Sequence, residues 1–407
     1  MENIANDSSY TFKNVLLETG FEYDGEEVVK TKTALFCIEI AGGKIKAISP
    51  NDPGRDAIDA KGRLMLPAFK DMHAHLDKNL WGLPWQAVSE KRRTVKDQIA
   101  YEQKMIPEWL KTSVKRSEQL IDFLQSKGTT YIRSHFNIDP TSGFDSLKHL
   151  EIALQNRKKT VGAELVAFPQ HGVFYTNTAP LLKEVVKMNI DFIGGVDPYS
   201  LDGSIEKPMD LITQLAIDHN KGIDIHLHEI GDSGVKTIEY LINKANENPV
   251  LRGKTFVSHA FTLGHLSQIE TERIAARLGE AGVGIVSSVP FGKTVMPIPT
   301  LRKHGVEVLV GNDNIIDHWI TFGPGDMLQK ARLIASLYGY SSEFALSRTL
   351  AYATRYVLPL DDKGNQQWPK AGDDADLVFL EASCSAEAVS RVSPVMSVVH
   401  KGNIVFS

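Results

Sequence analysis

The chain has 407 residues, 42% hydrophobic and 23% charged, a balance that excludes a disordered polypeptide and allows a large core with an accessory domain. A formal net charge of −5 argues against nucleic acid or an anionic membrane as partner, since either favours a basic patch, and leaves a small molecule as the expected substrate. Only Cys37 and Cys384 are present, too few for a disulfide framework or a thiolate metal site. With a polar N-terminal stretch and no apolar run of about 18 residues, the expected location is the cytoplasm.

Near the N-terminus, residues 12–17, 34–41 and 44–48 alternate as short strands, the last two joined by Gly42-Gly43, a hairpin signal. Residues 376–380 and 395–405, the latter split by Gly402-Asn403, have the same character. The two ends are expected to pair into one small β domain, residues 1–65 plus 365–407, around a catalytic domain of residues 66–364.

The middle alternates strand and helix. Leu110, Val114, Ile121 and Leu124 recur at helical spacing, with Gly128 placed as a C-cap, and a strand follows at 129–135. Further strands are expected at 164–168, 191–196, 223–228, 255–259, 283–289 and 306–310, with helices at 181–188, 209–219, 235–245, 269–281, 298–303 and 326–337. With residues 64–69 as the first, this makes eight strands joined by helical crossovers. The pattern predicts an α/β fold, a TIM-type (β/α)8 barrel with its site at the C-terminal ends of the strands. An open doubly wound sheet is the alternative, but no Gly-x-Gly-x-x-Gly turn follows any strand.

Polar residues collect where those strands end. His73 and His75 follow the first strand, and residues two apart on extended chain share a face. His135 follows the second, Gln170 the third, Asp197 the fourth, His226 with Glu229 the fifth, His259 the sixth and Asp313 the eighth. A hydrolytic metal takes three or four N/O ligands, and His73, His75, His226 and Asp313 would supply them to one divalent ion, zinc or iron. Water on such an ion is acidified, so hydroxide becomes available near neutral pH. An amine leaves only after protonation, and Glu229 is the expected proton carrier.

Leu66-Pro67 through His73-x-His75, residues 166–170, Asp224-Ile225-His226 with Glu229, Ser258-His259 and Gly311-Asn312-Asp313 together resemble the amidohydrolase superfamily, in its cytosine deaminase branch. The resemblance spans nearly the whole chain. It implies that His73, His75, His226 and Asp313 bind the metal, with Asp313 also helping to deprotonate the water, that Glu229 shuttles the proton, and that His259 orients the water. It further implies that Gln170 bonds the polar edge of the substrate ring, that Trp319 closes the pocket, and that the protein is a homo-oligomer. The expected reaction is hydrolytic deamination of a cytosine-like N-heterocycle, with metal-bound hydroxide attacking the amine-bearing carbon and ammonia leaving.

Two positions depart from cytosine deaminases: Asn314 and His171 stand where acidic residues are usual. Residues 313–319, Phe322-Gly323, 325–327 and 194–198 are closer to N-isopropylammelide hydrolases, so release of an alkylamine from a triazine is the alternative. A non-catalytic scaffold is the remaining class, and the presence of every expected ligand argues against it. Asn314 is either a turn residue or a substrate contact, and His228 either supports the site or touches substrate. His135 is expected to orient a neighbour. Trp81 and Trp85 pack the loop after the histidine pair or stack on substrate, and Arg133 and Asp197 form internal ion pairs near the barrel rim.

Overall fold

The computed structural model describes residues 9–89, 94–320 and 322–407. Eight parallel strands, Phe69–Ala74, Thr129–Asn137, Gly162–Phe168, Phe192–Val196, Gly222–His226, Thr255–Ser258, Val283–Ser287 and Val308–Val310, pair in chain order. The sheet curls into a nearly closed barrel. Its ends meet where Ala74 and Asp313 form a parallel bridge and the Asp313 N–H donates to the His73 carbonyl at 2.7 Å. Gly311 permits this approach, since a Cβ there would sit 2.4 Å from the His73 nitrogen.

The expected first barrel strand at 64–69 is in fact two strands. Leu64–Pro67 belongs to the terminal sheet, paired antiparallel with Leu377–Leu380, and the barrel strand begins at Phe69. The switch is local: Pro67 has no N–H, the Ala68 N–H donates to Asp376, and the Phe69 N–H donates to Gly128 in the barrel. The terminal sheet runs in the order Asn403–Phe406, Val395–His400, Leu377–Leu380, Leu64–Pro67, Tyr10–Asp24, Glu27–Ala41 and Lys44–Pro50. Its two N-terminal strands are 15 residues each, longer than their alternation suggests, because register shifts at Phe12/Val15 and Glu18/Gly20 break the period without breaking the pairing. Phe12, Val15, Leu17, Ile38, Ile45, Met65 and Phe379 form its core.

The barrel helices carry their stop signals in sequence. Ser267 caps Gln268–Ala281 by accepting from the Glu270 N–H, and Gly282 ends that helix at φ 66°. Asp326 caps Met327–Tyr338 by accepting from the Leu328 and Gln329 N–H groups. The long helical stretch before the second barrel strand is two helices, Val95–Leu110 and Ser113–Ser126, interrupted at Lys111 and Thr112. Strand alternation sorts the barrel wall. Ile223, Ile225 and Val257 join the helix-side core, at about 1.5–3 kcal/mol for each fully buried aliphatic side chain. Their neighbours Asp224, His226, Phe256 and Ser258 are left for the inside. Among the described residues, no helix is long and apolar enough to cross a membrane.

Candidate active site

The inside of the barrel is layered. Met72, Phe256, Val286 and Leu309 form an apolar cluster. Next to it lies Arg133, fully buried, with its guanidinium 4.1 Å from the Phe192 ring centre and 4.5 Å from that of Phe256. Arg133 donates to Glu164 at 2.7 Å and to Asp224 at 3.0 Å, so its ion pairs lie within the barrel rather than at the rim. Asp224 accepts from Ser258 Oγ at 2.5 Å, and Ser258 Oγ is 3.0 Å from His73 Nδ1. Because the Ser258 proton goes to Asp224, its oxygen accepts from His73 Nδ1–H. That fixes the tautomer and leaves a lone pair on His73 Nε2.

Above this layer the strand ends bring together the histidines and Asp313. His73 Nε2 and His75 Nε2 each lie 3.4 Å from Asp313 Oδ1, and His226 Nε2 lies 3.4 Å from His75 Nε2. His259 Nδ1 is 4.0 Å from Asp313 Oδ2. His135 is fully buried with its ring centre 4.0 Å from that of His73, and its Nε2 is 3.8 Å from Asp224. Three residues at strand ends sit in the left-handed region, Asp197 at φ 35°, His259 at φ 68° and Asp313 at φ 66°. Such conformations cost about 1–3 kcal/mol each for non-glycine residues and persist where function requires them.

These residues fit a divalent ion. Ligands about 2.0–2.2 Å from one tetrahedral centre stand roughly 3.3–3.6 Å apart, and the His73–Asp313, His75–Asp313 and His75–His226 donor pairs have that spacing. His73 Nε2, His75 Nδ1, His226 Nδ1 and both His259 nitrogens are buried with no hydrogen-bond partner among the described residues. Burial holds His75 down to about 3 and keeps His135, His226 and His259 well below the usual imidazole range, so they are neutral and can ligate. Burial opposes ionisation of Asp313, but His259 and His73 hold its carboxyl well below the carboxylate range. His73, His75 and Asp313 form one group able to hold a metal, and His73, His226 and His259 another. Three imidazoles and a carboxylate suit zinc and iron alike.

A cavity of about 260 Å³ opens over this cluster. That is below the roughly 300–1,000 Å³ of pockets for drug-sized ligands and suits a single ring. His75, His226, His259, Asp313, Gln170, Asn314 and Trp319 line it, and so do Lys78, Phe168, Asp197 and His228. Phe168 stacks on His226, with centroids 3.8 Å apart and rings 16° from parallel. Glu229 is not part of the lining. Its Oε1 accepts the Ser200 N–H at 2.7 Å, while Asp197 Oδ1 accepts the N–H groups of both His228 and Glu229. Asp197 Oδ2 then binds His228 Nδ1 at 2.9 Å, and the His228 ring stacks on His259 at 4.5 Å. Trp81 packs on Phe123 at 4.0 Å and Trp85 is 73% exposed, so neither is among the residues that line the cavity.

Two buried charges were not singled out in the sequence. Lys78 follows the histidine pair closely and reaches the cavity. Glu102, fully buried on the helix Val95–Leu110, accepts from Trp319 Nε1 at 2.9 Å and pairs with His171 at 2.8 Å, and its Oε1 lies 2.8 Å from His318 Nε2. It shares the buried face with Ile99, Ile106 and Trp109, and a carboxylate on an apolar stripe was the available signal. Burial opposes its charge, but Lys78 and His171 hold Glu102 well below its usual range.

The amidohydrolase family profile matches residues 99–406. YahJ of Escherichia coli K12, which has no assigned activity, is 46% identical over 98% of this chain and 88% of its own length. The solved structure of N-isopropylammelide isopropylaminohydrolase from Burkholderia multivorans is 29% identical, with a TM-score of 0.83 over 98% of both chains. The 5-methylcytosine deaminase of Klebsiella pneumoniae has a TM-score of 0.80 over 98% of this chain and 97% of its own, and at 22% identity shows a common fold. With the profile covering seven of the eight barrel strands and the three C-terminal strands of the terminal sheet, the chain belongs to the amidohydrolase family and is a hydrolase of carbon–nitrogen bonds.

Proposed function

We propose that the protein deaminates an amino-substituted N-heterocycle by hydrolysis. The observation that carries this reading is the convergence of three imidazoles and Asp313 beneath a cavity the size of one ring. His73, His75, His226 and Asp313 would hold one divalent ion, zinc or iron, whose Lewis acidity supplies a nucleophile from water near neutral pH. Asp313 and His259, whose ring lies 4.0 Å from Asp313 Oδ2, are placed to take up the proton the water gives up. The new C–O bond forms at the amine-bearing carbon, and the C–N bond breaks as the nitrogen gains a proton and leaves as ammonia. His228 is the better-placed donor for that step. Asp197 occupies its Nδ1, which leaves Nε2 as the ring nitrogen that can hold or pass a proton in the cavity. Glu229, the carrier expected from the sequence, holds the Ser200 N–H with Oε1 and keeps Oε2 buried and unpartnered, but it is not among the residues that line the cavity.

Loss of an alkylamine from a triazine is the second reading, favoured by the similarity to the Burkholderia isopropylaminohydrolase. A product assay separates the two. The metal-loaded protein is incubated with amino-pyrimidines, pterins, and amino- and alkylamino-triazines while ammonia and alkylamine are measured. Ammonia release supports deamination, alkylamine alone supports the second reading, and no amine from any ring rejects both.

A further inference from the structure

The cavity wall carries a buried cation that the chemistry above does not use. Lys78 is 5% exposed and lines the cavity beside Gln170. Its ammonium donates to Gln170 Oε1 and lies 5.6 Å from the Phe168 ring centre and 5.8 Å from that of Trp319. Glu102 Oε1 stands behind it at 4.0 Å, beyond hydrogen-bond reach, and is shared with Trp319 and His318. An ammonium has three N–H donors. Among the described residues Gln170 supplies the one recorded acceptor, so donors remain for whatever fills the cavity.

The same contact orients Gln170. Lysine can only donate, so the amide must turn its oxygen towards Lys78. The amide NH2 is then the end left for a ligand. Lys78 and Gln170 thus present N–H groups and positive charge, with no acceptor between them. A neutral imide edge alternates carbonyl and N–H, and its N–H would face a donor here, leaving a desolvated polar group unpaired. A deprotonated edge, with nitrogen and oxygen both accepting, satisfies every donor and gains charge-assisted bonds.

We propose that Lys78 and Gln170 form an anion-reading wall, and that the substrate is an acidic oxo-substituted N-heterocycle bound as its ring anion. The proposal rests on the reading of this cavity as a heterocycle site and names the class of ring that fits it.

Calorimetric titration of the metal-loaded protein with two rings that carry no amine to lose tests it: barbiturate, ionised at neutral pH, and uracil, neutral there. Wild type is expected to bind barbiturate at least about tenfold more tightly than uracil, as charge-assisted bonds imply. Lys78→Met is expected to remove about tenfold or more of the barbiturate affinity while uracil moves less than about threefold. Gln170→Glu, which is isosteric and places a carboxylate on the ammonium, should abolish the preference as well, and it decides alone if Lys78→Met does not fold. Equal binding of the two rings by wild type, or a barbiturate preference that survives Gln170→Glu, overturns the anion-reading wall and leaves the heterocycle reading standing. Failure of both rings to bind wild type rejects the heterocycle reading itself, and the wall with it.

Discussion

Ser258 Oγ lies 3.0 Å from His73 Nδ1 while giving its own proton to Asp224, so a side chain outside the cavity decides which nitrogen of His73 faces the metal position. A hydroxyl in this place acts on the ligand's orientation and basicity rather than on substrate. Ser258→Ala is expected to weaken metal affinity by about 10–100-fold, with little change in far-ultraviolet circular dichroism. Competition with a chelator of known affinity measures this, and an unchanged affinity would remove Ser258 from the support of the site.

Metal removal should destabilise the protein. A ligand that binds only the folded chain stabilises it by about 2.7 kcal/mol at a hundredfold excess over Kd. Chelation is therefore expected to lower Tm, and His226→Ala should start near the chelated wild-type value and shift little further with chelator. Full metal occupancy of His226→Ala by elemental analysis would exclude that residue as a ligand.

His228 and Glu229 can be told apart by kcat. A proton carrier contributes about 10²–10⁴-fold to rate, so His228→Gln is expected to lower kcat by that order with metal retained. Glu229→Gln should stay within about tenfold of wild type, because Glu229 is not among the residues that line the cavity. The reverse pattern of rates would return the role to Glu229.

His171 links stability to alkaline pH. Burial disfavours its charge, but Asp139 and Glu102 outweigh that and raise its pKa to about 9, from 6.5. The native chain then holds one proton more than the unfolded chain across that window, so this contribution is complete below about pH 6.5 and is lost as pH rises through about 9. A shift of this size corresponds to roughly 3 kcal/mol. Urea titrations between pH 6 and pH 10 should show falling stability in wild type, and in His171→Gln most of that slope should vanish.

Much of the plan is legible from local rules. His73 and His75 share a face through the two-residue period of extended chain, and the alternation of apolar strand and amphipathic helix marks the barrel. His228 and Glu229 lie past the end of the strand Gly222–His226, where that period no longer applies. The split at Pro67 was readable only in part, since a missing N–H marks a break without saying which sheet claims each side. The register shifts that let Tyr10–Asp24 and Glu27–Ala41 run to 15 residues leave no periodic trace.

By itself the sequence determined the kinds and order of the candidate donors, three imidazoles and a carboxylate at the ends of the first, fifth and eighth barrel strands, because binary patterning and strand geometry act over a few residues. Tertiary structure decided which side chains face the cavity. Glu102 reaches Trp319 from a distant helix, Asp197 holds the backbone of His228 and Glu229 from the neighbouring strand end, and Lys78 turns the amide of Gln170. Those contacts join segments far apart in the chain. Loop side chains take their direction from such partners, not from the residues on either side.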